Sequence, residues 1–148
     1  MKLYKALKLK KKVIGEVAKL NSQISSRNSY LVGSLNSEKY NIRGLENELT
    51  EKVKYLVSLK CAINNANRGI QDKIYWLSEF KSIIQLWNGL DVTEGMQLSG
   101  YPDRVAKEYK VQIDEKERDE KIKNIQNTID LLQEEVDVYN HTTELSIE

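Results

Sequence analysis

The chain has 148 residues, a formal net charge of +1, and a composition that is 40% hydrophobic and 30% charged, with a single proline and a single phenylalanine. One helical domain accommodates this length and composition, whereas a β-sandwich or barrel of the same size needs more turn residues and more β-branched and aromatic runs. The only cysteine, Cys61, cannot form an internal disulfide, which fits a reducing compartment. No apolar run approaches the roughly 18 residues of a membrane span, so we expect a cytoplasmic protein.

Charge is unevenly distributed along the chain. Residues 1–20 contain seven lysines and one acid, a net charge of +6, whereas residues 130–148 contain six acids and no lysine or arginine, a net charge of −6. These two segments are electrostatic opposites. We expect the basic and the acidic helix to lie side by side, within one chain or between chains.

A first helix is predicted over residues 2–28, because apolar residues recur there at helical spacing. Asn21 and Asn28 fall on the same face, seven residues apart. Either they mark where the helix ends, or they are polar residues in a coiled-coil core, which fix register and partner number. Residues 33–40 are rich in serine, asparagine and glycine and are predicted to form a loop.

The next helical region, residues 41–88, carries the strongest pattern in the chain. One apolar residue recurs every seven positions, and we call this set the seam: Ile42, Leu49, Leu56, Ile63, Ile70, Leu77 and Ile84. A second row, three positions after each seam residue, is mostly apolar too. Sustained heptads predict left-handed supercoiled packing. Further apolar residues at Val53, Ile74 and Trp76 favour a bundle of three or more helices.

The heptads cross a poor helical segment at residues 64–69, which contains three asparagines and one glycine. These residues cost roughly 2–3 kcal/mol in a helix relative to alanine. Either the helix passes through, or it ends near Asn67 with Gly69 as a left-handed cap. Because the heptad phase is kept, we expect a kink or one broken turn between helices at 41–68 and 70–88.

Residues 89–113 are irregular, and the chain then enters a last helix predicted over 114–140. Met96-Gln97-Leu98 and Val111-Gln112-Ile113 alternate apolar and polar residues, so a small hairpin can form around 96–113. Asp114 and Glu117 form a capping pair at the start of the last helix. The expected fold is all-α: an elongated antiparallel bundle or coiled coil of three to four long helices, in one domain over 1–148.

Residues that could carry catalysis or bind a cofactor are sparse. The only histidine, His141, lies in the tail, far along the sequence from Cys61. One histidine and one cysteine do not make a standard zinc site, and the scattered glycines do not form a phosphate-binding loop. We therefore expect no enzymatic activity, no cofactor, and no catalytic or metal-binding residues.

The lysines of the first helix form a basic face, made of Lys5, Lys8, Lys10, Lys11 and Lys12. This face is either solvated or in contact with a partner helix, or it binds an anionic membrane surface, or it binds nucleic-acid phosphates. Aromatic and arginine residues for base contacts are nearly lacking there, and the apolar stripe beside the lysines is typical of a core helix. The first interpretation is therefore favoured.

Three fragments carry a resemblance to a known family. They are Met1-Lys2-Leu3 with Ala6-Leu7, Ile63-Asn64 with Asn67, and Tyr139-Asn140-His141-Thr142-Thr143-Glu144-Leu145. In order and spacing they resemble the septicolysin-like family of small bacterial coiled-coil proteins, or a sister group of it, over nearly the whole chain. The chain departs from the family pattern at His141, where a tryptophan is usual, and in lacking an acidic, proline-containing loop after the first helix. The family name implies a cytolysin, but the resemblance brings no active-site residues.

The sequence therefore predicts a coiled-coil homo-oligomer with a structural or adaptor role and an unknown protein partner. One alternative is a membrane-active, cytolysin-like protein that acts through the basic first helix. A weaker alternative is a nucleic-acid-binding accessory protein.

Overall fold

The computed structural model describes residues 1–33, 40–100, 102 and 104–147, and in this part of the chain it contains four helices and one β-hairpin. The elements are α1 (Leu3–Arg27), α2 (Ile42–Asn67), α3 (Gln71–Asn88), β1 (Gly95–Ser99), β2 (Val105–Tyr109) and α4 (Glu115–Thr142). The prediction of an all-α fold with a small hairpin is confirmed. Most of the loop predicted over 33–40 lies outside the described residues, and so do Tyr101 and Asp103.

The chain divides into two compact units. Unit 1 consists of Met1–Gly69 and Val138–Glu148, and unit 2 is Ile70–Asp137. The boundaries fall between α2 and α3 and within α4. That the whole chain forms one helical domain stays a prediction.

The core of unit 1 joins residues that are far apart in the sequence. Leu3, Ala6, Leu59, Ile63 and Leu145 form one buried cluster, and the first three are fully buried. Helix α1 packs closely along α2, and the burial of Val13, Leu20 and Leu56 continues the apolar contact along the two helices. The hydrophobic effect of this burial holds α1 on α2.

The two asparagines of α1 do not form a polar core within the chain. Asn21 is exposed, and Asn28 is the exposed residue that follows the last turn of α1. Neither asparagine therefore lies in a core within one chain, and Asn28 follows the end of the helix, whereas a place for them in a coiled-coil core between chains stays a prediction. An amide in this position keeps its contact with water, which costs nothing in desolvation.

Residues 68–70 separate α2 from α3, so the helix is interrupted where the asparagine-rich segment predicts a broken turn. Gly69 is not a left-handed cap, because the described glycines with positive φ are Gly33, Gly95 and Gly100. Its role is spatial: a Cβ at Gly69 would lie 2.6 Å from the hydroxyl oxygen of Tyr139. That hydroxyl donates a 2.8 Å hydrogen bond to the carbonyl of Ala66, one of the last carbonyls of α2, which have no partner within the helix.

In unit 2, α3 runs antiparallel to the first part of α4. Lys73, near the start of α3, forms an ion pair with Glu135, and Trp87, near its end, lies 5.7 Å from the ammonium nitrogen of Lys121. The residues buried in this unit are Ile70, Leu77, Ile129 and Val136. Ile70 and Leu77 are seven residues apart, as are Ile129 and Val136, which is the spacing of a heptad pattern.

Helix α4 differs from its prediction at one end. Its start is as predicted, since the carboxylate of Asp114 accepts a 2.7 Å hydrogen bond from the backbone N–H of Glu117. The helix, however, continues to Thr142 and not only to Asn140. The backbone N–H of Thr143 still donates to the carbonyl of Tyr139 at 2.9 Å, so the last turn is closed beyond the predicted end.

The hairpin also differs from its prediction, because β1 pairs with residues 105–109 and not with Val111-Gln112-Ile113. The antiparallel register places Gln97 opposite Lys107, and Gly95 opposite Tyr109. Pairing with 111–113 requires a longer connection, and closing a longer loop costs more entropy. Val111 and Ile113 are half-buried in the segment that leads into α4.

Candidate functional site

The seam residues are buried or half-buried throughout. Leu56, Ile63, Ile70 and Leu77 are buried, whereas three members nearer the ends of the seam, Ile42, Leu49 and Ile84, are half-buried. No member of the second row is exposed either. The heptad phase therefore agrees with the burial of these residues within the chain, and their role in oligomerisation stays a prediction.

Helix α3 carries large apolar side chains around its whole circumference. Trp76 borders the seam and stacks on Phe80, with ring centroids 5.3 Å apart, yet it is 55% exposed. Tyr75 and Leu86 lie on the face opposite the seam and are 64% and 62% exposed. Charged residues such as Glu79 share this side of the helix, and large exposed side chains among polar residues are typical of protein contact surfaces. The outer face of α3, defined here by Tyr75, Trp76 and Leu86, is thus a candidate contact surface that periodicity alone did not reveal.

The hairpin is a second exposed apolar surface. Of its ten strand residues only Ser99 is half-buried, and the other nine are exposed. Met96 and Leu98 project from the same face of β1 because alternate residues of a strand share a face. A two-stranded hairpin with so little burial is marginally stable on its own.

The basic face lies on the exposed side of α1. Lys5, Lys8, Lys11 and Lys12 are exposed and Lys10 is half-buried. The ammonium groups of Lys5 and Lys8 lie 6.0 and 5.7 Å from the ring centroid of Tyr4. These distances are within or near the range of cation–π attraction, so the ring helps to accommodate the local positive charge.

An ion-pair network ties α1 to α2 beside the basic face. The carboxylate of Glu16 accepts a 2.6 Å hydrogen bond from Lys52 and lies 3.8 Å from Lys12. The hydrogen bond from Lys52 lowers the pKa of Glu16, and Glu16 in turn raises the pKa of Lys52. Lys52 occupies the second row of the heptad pattern, where its ammonium group has a carboxylate partner.

Residues 1–3 of the basic segment contact residues 143–145 of the acidic segment, whereas side-by-side packing of the two helices stays a prediction. Lys2 and Glu144 form an isolated antiparallel β-bridge, with backbone hydrogen bonds of 2.9 Å from Leu3 to Thr143 and 2.8 Å from Leu145 to Met1. Their side chains form a 3.0 Å ion pair, and the hydrogen bond from Lys2 lowers the pKa of Glu144. No periodic pattern pointed to this pairing, because it joins two segments about 140 residues apart.

His141 and Cys61 lie at separate places on the surface of unit 1. The ring of His141 stacks on Tyr4, with centroids 4.6 Å apart and an angle of 17° between the ring planes. Cys61 is exposed and lines a cavity of about 280 Å³ with Val57, Ser58 and Ser146. Across the residues that the structure describes, no group of three or more histidines, cysteines or acids is placed to hold a metal ion.

Two further results bear on function. Within the described part of the chain, no helix is both long enough and apolar enough to cross a bilayer. No protein-family model, curated protein or solved structure matches the chain. The resemblance to the septicolysin-like family therefore stays a prediction.

Proposed function

We propose that the chain is a cytoplasmic, non-enzymatic assembly protein: a homo-oligomeric, helical coiled-coil module with a structural or adaptor role. The outer face of α3 is the contact surface in this proposal, and a second copy of the chain is the partner. The half-buried ends of the seam are compatible with further coverage by that copy.

The observation that carries the proposal is the exposure of Tyr75, Trp76 and Leu86 on one helix. Tryptophan and tyrosine are enriched among the residues that contribute most to protein interfaces. Fully burying a large apolar side chain contributes about 1.5–3 kcal/mol. Covering this face with a second copy removes large apolar surface from water, which favours association.

Sedimentation equilibrium of the full chain over a micromolar concentration series tests the proposal. We expect a mass that is a multiple of 17.1 kDa at the higher concentrations. Leu86→Glu should weaken association, because it places a charge in the contact, whereas the matched control Gln85→Glu changes an exposed polar neighbour and should not. A monomer at every concentration contradicts the proposal.

The exposed lysines of the basic face favour a second candidate, a membrane-active protein. This candidate predicts that the intact protein binds or permeabilises anionic vesicles, and that Lys8→Glu with Lys11→Glu abolishes the effect. The assembly proposal predicts that the intact protein stays in the supernatant when such vesicles are sedimented at physiological salt. A parallel measurement with duplex DNA examines the nucleic-acid alternative, whose binding would fall steeply with salt.

A further inference from the structure

The hairpin has two strand edges that differ in charge. Because the sheet consists of β1 and β2 only, each strand presents backbone N–H and C=O groups along one outer edge. Strand β2 carries Lys107 and Glu108 and is flanked by Arg104 and Lys110, whereas β1 has no charged residue within it and one, Glu94, beside it. Charged side chains on an edge strand oppose pairing with another chain. The edge of β2 is therefore protected, and the edge of β1 is open.

We propose that β1 pairs with β1 of a second copy, antiparallel and centred on Gln97, which gives a four-stranded sheet in the order β2–β1–β1–β2. This inference rests on the proposed function of self-assembly and names a contact for it. A two-fold axis perpendicular to the sheet at Gln97 brings Met96 of each copy opposite Leu98 of the other. Gly95 then lies opposite Ser99. Gly95 and Ser99 also end β1, so the pairing uses the whole strand.

The side chains of β1 suit this register. Met96 and Leu98 are 64% and 67% exposed, and the pairing places the four side chains of the two copies next to one another on one face. On the other face the two Gln97 amides meet, and an amide can both donate and accept a hydrogen bond. The nitrogen of Gln97 already donates to the carbonyl of Glu94 at 3.4 Å, which leaves its amide oxygen to accept.

Charge also selects β1 over β2 as the strand that meets its own copy. Self-pairing of β2 centred on Lys107 opposes two lysines, and self-pairing centred on Glu108 opposes two glutamates. Like charges directly opposite each other destabilise a strand pair. Self-pairing of β1 centred on Gln97 places no like charges opposite each other. It also increases the sheet from two strands to four, beyond the three strands at which a small sheet becomes stable.

Charge substitutions at the two-fold position test the pairing. Gln97→Glu places two carboxylates opposite each other across the axis and should raise the dissociation constant of self-association about tenfold or more. Within its own hairpin the new carboxylate lies opposite Lys107, which is favourable, so weaker association does not arise from unfolding of the hairpin. Gln97→Lys should weaken association as well, in part because its lysine lies opposite Lys107 within the same hairpin. An equimolar mixture of the two variants is therefore the decisive sample, and it should associate more tightly than either variant alone.

Val105→Glu is the matched control, because it adds the same charge to an exposed position of β2 and leaves the edge of β1 unchanged. Sedimentation equilibrium is measured for the unchanged chain, the three variants and the mixture. Association that responds equally to Val105→Glu and Gln97→Glu, or a mixture that regains nothing, overturns the β1 pairing. If the Gln97 substitutions leave the dissociation constant unchanged, the β1 pairing is wrong, but self-assembly still stands. If the unsubstituted chain is monomeric, the proposed function itself is contradicted.

Discussion

At the scale of single residues, the buried cluster of unit 1 is the part of the molecule most sensitive to charge. Ile63→Asp should lower the free energy of unfolding by several kcal/mol, because it buries a carboxylate without a partner. Cys61→Ser, two residues away on the exposed side of α2, should change it by less than about 0.5 kcal/mol. Urea unfolding monitored by circular dichroism compares the two variants, and equal effects would mean that the burial of Ile63 is wrong.

The contact between Gly69 and Tyr139 gives a second prediction at this scale. Gly69→Ala should destabilise by about 1–3 kcal/mol, because the new Cβ meets the Tyr139 hydroxyl at 2.6 Å. Tyr139→Phe alone should cost about 0.5–1.5 kcal/mol for the lost hydrogen bond to Ala66.

In the double variant the penalty of Gly69→Ala should largely disappear. Once the hydroxyl is gone, the nearest ring atoms lie 3.4–3.5 Å from the Cβ, which is ordinary contact. A double-mutant cycle of unfolding free energies measures this coupling. Additive effects would show that the hydroxyl does not occupy the space beside Gly69.

At the scale of elements, the Lys52–Glu16 pair makes the packing of α1 on α2 dependent on pH. The lowered pKa of Glu16 means that its contribution to stability is present above the ordinary glutamate pKa and is lost as the pH falls through the lowered value. The raised pKa of Lys52 matters at alkaline pH: its contribution to stability is present below the ordinary lysine pKa and is lost as the pH rises through the raised value.

In the Glu16→Gln variant, the free energy of unfolding should therefore fall less steeply as the pH is lowered. Urea unfolding from about pH 7 down to about pH 3 measures the free energy of unfolding across this window. Lys52→Met should reduce the pH dependence in the same range. The double variant should differ little from either single variant, because the two side chains act as one pair. Two independent, additive effects would contradict the pairing.

Periodicity predicted the helices well because their stability comes from one continuous apolar row. The row from Ile42 to Ile84 specifies which side of α2 and α3 is buried, and the structure buries or half-buries each member. The second strand of the hairpin was misplaced because Val111-Gln112-Ile113 alternates apolar and polar residues, whereas Val105–Tyr109 contains two adjacent charged residues and does not alternate. Loop closure, which a pattern of apolar residues does not contain, decides between them.

At the scale of the whole molecule, the contact that sequence could not predict is the bridge between residues 1–3 and 143–145. Leu145 alternates with polar neighbours in a short segment, so nothing local marks it as a core residue. Its burial depends on Leu3, Leu59 and Ile63, which are brought together only by the folded chain. The seam and the basic face, by contrast, each lie within one stretch of sequence and could be found there.

Leu145→Ala tests the importance of this bridge. The side chain is only 8% exposed, and its truncation should cost about 2–5 kcal/mol, as for other buried leucines. Ser146→Ala, at the next, exposed position, is the control and should be nearly neutral. Thermal melts compare the melting temperatures of the two variants. If Leu145→Ala leaves the melting temperature unchanged, residues 143–145 do not contribute to the core.

The division of the chain into a continuous and a discontinuous unit has a consequence for biosynthesis. All of Ile70–Asp137 is translated before Leu145, so unit 2 has its full complement of residues while the core of unit 1 still lacks one member. Contacts between residues distant in sequence also form slowly, since loop closure must precede them. The core of unit 1 is therefore completed after that of unit 2, although α1 and α2 can pack on each other before Leu145 is made. Until Leu145 is in place, the apolar surface of Leu3, Leu59 and Ile63 that it covers stays available to chaperones.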